Sequence, residues 1–301
     1  MPARQGVGVL KSVPSILDTS PSQAMPSGSS QPPPPAVPGG VPSAIPDIPV
    51  SAVLLALFAA GGATHLAVFL RNRRRGPEHR FFFSFLLFVF PLTRVAALSL
   101  RIAWARAPAD ADVALAATVF TAAGVLILLV VNAVLARRLV RALHPRLARR
   151  PAATAAFRAL LATVVAVLVM VVACTVHSNL TTDPAARARE RDVLRFAGVY
   201  MTAVAALPAA AAALASAVPN RSPRHPPEPL GAGPMRAKVA LLASASLALT
   251  VGAGFRVGVN FAGTRPAARP QWYLSSAAFY CFNFVPDLLV VYAYAVFRFD
   301  R

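Results

Sequence analysis

Five charged side chains stand inside long apolar runs of this 301-residue chain: Arg94, Arg101, Arg158, Arg256 and Asp287. A charged group in an apolar helix faces a protein interior or a cavity, pairs with another charge, or reaches a polar boundary. Arg94 and Asp287 fall near the middle of their runs, and Asp287 is the only acid in any run, so these two are the candidate ion pair. Pairing relieves two buried charges at once. It serves either to lock two helices together or to build a ligand or proton site, and the residue types admit both. Arg256 is the competing partner for Asp287. Arg101 and Arg158 lie near run ends, where a long side chain reaches a headgroup region while its stem stays in the apolar layer. Arg101, Arg256, Asn260 and Asn283 are the candidate lining of a central polar cavity. Asn132, Asn260 and Asn283 also suit hydrogen bonds between helices.

Other chemistries lack their parts. The histidines are His65, His79, His144, His177 and His225, with no HxxxH or HExxH pair and no carboxylate near His65. Intramembrane metal hydrolysis, which needs several ligands converging at one depth, is therefore not expected. The last apolar run holds no lysine, which excludes a Schiff-base pigment. Ser244, Ser246, Ser275 and Ser276 have no base at matching depth, and no nucleotide-binding motif occurs. Cys174 and Cys281 lie inside apolar runs and form no secreted disulfide framework. No catalytic residue, metal site or cofactor is assigned, and the chain is not expected to be an enzyme.

The elements that must position these residues follow from composition. Hydrophobic residues make up 56% of the chain and charged residues 14%, well under the roughly 25% charged of a soluble domain. Seven apolar runs, at about 48–70, 81–104, 113–136, 155–178, 196–218, 239–261 and 273–297, are each close to the ~20 residues that cross ~30 Å of hydrocarbon as a helix. Transmembrane β-strands would be about half as long and alternating. The expected fold is all-α, a bundle of seven transmembrane helices over 48–301. Pro91, Pro208 and Pro286 each remove a helical hydrogen bond, so spans two, five and seven are expected to kink there. Residues 1–47, rich in proline, serine and glycine, read as a disordered tail.

The net charge is +19, and 28 of the 30 basic residues are arginine. They flank the runs rather than forming one patch, which is the positive-inside bias of membrane loops and not a nucleic-acid surface. Seventeen basic residues fall on the side holding the C-terminus and nine on the other. The expected orientation is N-terminus outside and C-terminus in the cytosol. Trp104, Trp272 and Tyr273 then fall at outer helix ends, as an interfacial aromatic belt would place them. The sequon at Asn179 also falls outside, as a candidate glycosylation site.

The segments DIPVSAV (47–53), RVAALSLRIAWARAP (94–108), AGVLILLVVNAVLARRLVRALHP (123–145), RDVLRFAGVYMTAVAALP (191–208), VGAGFRVGVNF (251–261) and WYLSSAAFYCFNFVPDLLVVYAYAVFRFDR (272–301) resemble a fungal family of seven-pass membrane proteins. Members of that family, a domain of unknown function, are often labelled family C-like G-protein-coupled receptor proteins. The resemblance spans about 47–301 and implies a seven-helix integral membrane fold, with no implied activity. The chain departs from rhodopsin-class marks: the third span ends NAVLARRLVR without an Asp/Glu-Arg-Tyr triplet, and the seventh carries NFVPD rather than NPxxY.

The functional expectation is a receptor-like or sensor membrane protein without catalysis. It would sit in the lipid bilayer, respond to a ligand that the sequence does not name, and meet a cytosolic signalling partner at its basic inner loops. The rival is a transporter or lipid-handling protein built on a central polar cavity. What separates them is whether Arg94, Arg256 and Asp287 line a continuous cavity or are closed off between helices.

Overall fold

A computed structural model of the chain describes residues 38–74, 82–219, 230, 233–262 and 271–297. The tail through residue 37, most of the basic loop after the first span, the proline-rich stretch 220–229 and the C-terminal 298–301 lie outside the described residues, as do His79 and His225.

The elements in order are α1 (Asp47–Arg74), α2 (Phe82–Arg106), α3 (Ala111–Leu143), the single turn α4 (Pro145–Ala148), α5 (Pro151–Leu180), α6 (Pro184–Ala217), α7 (Met235–Ala262), a 3-10 turn (Trp272–Leu274), α8 (Ser276–Asn283) and α9 (Val285–Phe297). There is no strand among the described residues. Among the described residues seven helices are long and apolar enough to cross a membrane, with α8 and α9 together forming the seventh.

Local chemistry sets their starts. Asp110 caps α3 by accepting from the Asp112 and Val113 N–H groups. Asp183 caps α6 in the same way, with Pro184 in the first turn. A side-chain oxygen there satisfies donors that a helix start leaves orphaned. Two spans are longer than their apolar runs. Arg137, Arg138 and Arg141 belong to α3, and Arg187, Arg189, Arg191 and Arg195 to α6, rather than to loops. Arginine and alanine are strong helix formers, so the backbone stays helical while the charged heads extend past the apolar layer.

The helices close into a ring in the order α1, α2, α3, α5, α6, α7 and the seventh span, which returns to α1. α3 also touches α6 and α7, so it runs through the middle of the bundle. There Leu128, Val131 and Leu139 are wholly buried. α5 is peripheral and buries only Val164. Polarity is inverted relative to a soluble protein. Asp47, Ser51, His65, Arg94, Arg101, Asn132, Ser246, Asn283 and Asp287 are buried, while Val165, Val169, Phe196, Leu214, Leu247, Leu289 and Val296 face outward. A contiguous apolar exterior of this kind requires lipid around it.

One expectation about a particular side chain needs correction. Trp104 is buried, at 7% exposure, so it packs into the bundle and does not join an interfacial belt; Trp272, 69% exposed, does face outward. The prolines also differ among themselves. Pro286 coincides with a break, between α8 and α9, while Pro91 and Pro208 stand inside the continuous helices α2 and α6. In α6 the hydrogen-bond ladder beside Pro208 is interrupted by a neighbouring side chain. Ser246 of α7 accepts from the Ala209 N–H at 3.1 Å and donates to the Ala205 carbonyl. Its hydroxyl thus bridges the i→i−4 step beside the proline, the kind of side-chain insertion by which membrane helices re-satisfy freed backbone groups. Ser246→Ala removes both bonds and is expected to cost about 1 kcal/mol. A thermal melt of purified protein should show the midpoint lowered by about 2–4 °C; an unchanged midpoint contradicts the bridging role.

Candidate functional site

Arg94 and Arg101 are seven residues apart on α2, two turns along one face, and both point into the bundle. Tyr280 and Asp287 have the same spacing on the seventh span. The two faces meet in two polar rungs about 10 Å apart along the helix axis.

The inner rung is the Arg94–Asp287 pair, with Arg94 Nη2 at 2.5 Å from Asp287 Oδ2 and side-chain exposures of 0% and 3%. Arg94 Nη1 donates to the Thr121 carbonyl at 2.9 Å. Arg94 Nε, Arg94 Nη2 and Asp287 Oδ2 make no hydrogen bond, so the close contact to Asp287 is an ion pair outside hydrogen-bond geometry. The guanidinium lies 5.4 Å from the ring centres of both Phe90 and Phe284, within cation–π range. Gly124 makes room: a Cβ there would stand 3.1 Å from Arg94 Nη1. α2 packs chiefly on α1 and α3, and α9 on α7 and α1, so Arg94 reaches Asp287 by side-chain length rather than by backbone proximity.

The outer rung is a network that the sequence reading missed. Arg101 does not extend to a boundary; it is buried at 4% exposure and pairs with Asp47 at 2.9 Å. Arg101 Nε donates to the Tyr280 hydroxyl at 2.9 Å, and Arg101 Nη2 also donates to the Gly39 carbonyl at 2.8 Å. The Tyr280 hydroxyl donates to Asp47 Oδ1 at 2.9 Å and lies 2.8 Å from Ser51 Oγ. Asp47 Oδ2 accepts from the Ser43 N–H at 3.0 Å. Phe279 covers the Arg101 guanidinium at 4.2 Å. Gly39, with φ of 79°, adopts a backbone conformation that favours glycine, and a Cβ on it would stand 2.7 Å from Phe279 Cγ. Residues 38–46, read from composition with the tail, are therefore bound to the start of the seventh span.

Arg256 forms no ion pair with Asp287. Its Nη1 donates to Asn283 Oδ1 at 3.3 Å, and the Asn283 amide donates to the Phe279 carbonyl at 2.8 Å. Arg256 and Asn260 line a cavity of about 150 Å³ between α3, α5, α6 and α7. Arg101 and Asn283 do not line it; the first is closed in the outer rung and the second is buried behind Arg256. Asn132 accepts from the Tyr294 hydroxyl at 2.6 Å, linking α3 to α9. Arg158 and Asn179 are exposed, and the Asn179 amide donates to the Thr175 carbonyl in the last turn of α5. Among the described residues no group of three or more His, Cys, Asp or Glu is placed to hold a metal ion.

The chain matches no family model, no curated protein and no solved structure. Its own geometry defines the class: an all-α, multi-pass membrane protein of seven helices, held by two buried polar rungs between the second and seventh spans.

Proposed function

We propose that this chain is a receptor-like or sensor membrane protein without catalysis, its N-terminus outside and its C-terminus in the cytosol. The observation that carries the reading is the closure of the Arg94–Asp287 pair, while the third charge, Arg256, lines a cavity. Arg94 is 0% exposed and Asp287 2% exposed, packed between Phe90 and Phe284. A transporter that used these charges would need them on a water-filled route. A sensor needs instead a bundle whose helices are tied at defined depths, so that a shift at one end is carried to the other. Exposed basic residues at the inner end of α3 and just beyond it, such as Arg141, Arg146 and Arg150, would meet an acidic cytosolic partner.

The test places a thiol beside the charged centre. Thr93 lies next to Arg94 and packs near Gly124. Thr93→Cys, with Cys174 and Cys281 changed to serine, should resist a membrane-impermeant thiol reagent applied to either side of reconstituted vesicles. Labelling from both sides would replace the sensor reading with the transporter one.

A further inference from the structure

The polar centre of the bundle holds two arginines and one acid: Arg94, Arg256 and Asp287. Asp287 attracts Arg256 and Arg94 repels it. The acid is already in close contact with Arg94, and no described carboxylate lies in ion-pair contact with Arg256. One positive charge is therefore in excess among these three groups, and half-buried Arg256, six residues before the end of α7, carries it. The sole described hydrogen bond of that guanidinium is the 3.3 Å contact to Asn283.

Arg256 opens onto the cavity of about 150 Å³, whose other walls are apolar, among them Leu126, Leu129, Leu168 and Met201. Asn260 is four residues further along α7, on the same face, and also lines the cavity. A half-buried arginine fork and an exposed amide one turn further along α7 place two donors on one wall of an otherwise apolar, partly open pocket. Arginine matches the planar, two-oxygen geometry of a carboxylate. A chamber of about this volume with apolar walls accommodates a benzene-sized body. The excess is a single charge, so a monoanion leaves the centre neutral, whereas a dianion reverses its sign and a cation adds to it.

We infer that this cavity binds a small apolar monocarboxylate, its carboxylate on Arg256 and Asn260 and its hydrocarbon body between α3, α5 and α6. The assignment deepens the sensor reading and rests on it for its consequence, since the ligand would engage Arg256, whose guanidinium donates to Asn283 beside the break of the seventh span.

The experiment uses the full chain in discs of zwitterionic lipid, with empty discs subtracted, and two probes: sodium phenylacetate and its uncharged methyl ester. Phenylacetate should bind saturably and at least tenfold more tightly than the ester. Arg256→Gln should weaken phenylacetate at least tenfold and leave the ester unchanged, and Arg256→Lys should restore part of the difference. Ala122→Phe, which fills the chamber and keeps the charge, should weaken both probes. The acid–ester comparison needs no variant, so a poorly folded substitution does not blunt the test. Equal binding of acid and ester, or undiminished acid binding by Arg256→Gln, overturns the site. Competition sorts the source: displacement by oleate loaded into the disc indicates acyl chains drawn from the bilayer, and displacement by hexanoate alone indicates acids from water. Saturable binding accompanied by phenylacetate flux into vesicles keeps the site and overturns the sensor reading. No saturable binding removes the site and leaves that reading standing.

Discussion

Asp287→Ala is expected to destabilise the bundle by about 3–5 kcal/mol, the range for breaking a fully buried ion pair. The substitution leaves Arg94 and Arg256 as two cations in the same apolar centre with no acid between them. Arg94→Ala should cost less, because Asp287 keeps Arg256 as a nearby counter-charge and the centre becomes neutral. The double change Arg94→Ala with Asp287→Ala removes both partners and should cost less than the sum of the two single changes. Thermal unfolding in one detergent or disc, for the three variants beside the parent, measures this. The expected order of damage is Asp287→Ala first, then Arg94→Ala, with a coupling of more than about 1 kcal/mol in the cycle. Additive single effects, or an Arg94→Ala protein less stable than Asp287→Ala, would contradict the charge balance described for the centre.

Arg101→Gln should release the outer rung, at an expected cost of about 2–3 kcal/mol. Hydrogen bonds to a charged group contribute about 1.5–3 kcal/mol. Arg101 makes such bonds to Asp47, Tyr280 and the Gly39 carbonyl. The loss is smaller than at Asp287 because Asp47 keeps the Ser43 N–H and the Tyr280 hydroxyl. The effect should also be local. The Ser43 N–H bonds to Asp47 and the Gly39 N–H to the Leu274 carbonyl, so both amides are expected to be protected in the parent and to exchange faster in the variant. Amides at 87–98 around the inner rung should be unaffected. If Gly39 and Ser43 exchange at the same rate in both proteins, Arg101 does not hold the 38–46 segment to the seventh span.

Depth was legible in the sequence. Each helical residue advances about 1.5 Å, so counting from run ends put Arg94 and Asp287 at one level before any packing was known. The pair is found there, with Arg94 bridging helices that are not close neighbours. The partner of Arg101 was hidden by one residue. With the first run drawn from Ile48, Asp47 fell in the tail, although an acid in the first turn of a helix is a common start signal. It stands in the first turn of α1, at the same end of the bundle as Arg101. Tyr280 could have been noticed by its seven-residue spacing from Asp287, matching that of Arg94 and Arg101 on the facing span.

The sequence by itself determined that the chain is a bundle of seven apolar helices, because run length against bilayer thickness allows little else. It also set the depth of each buried charge. It did not determine which side of each helix meets which neighbour. Apolar residues surround most of these helices, so no amphipathic stripe marks an inner face, and azimuth is decided by how the helices fit together. Only the tertiary structure therefore turned Arg101 inward onto Asp47, set Ser246 beside Pro208 in α6, and left Arg256 on the wall of a cavity while Arg94 took the acid. Those outcomes depend on side-chain reach across helices, which spacing along one helix does not carry.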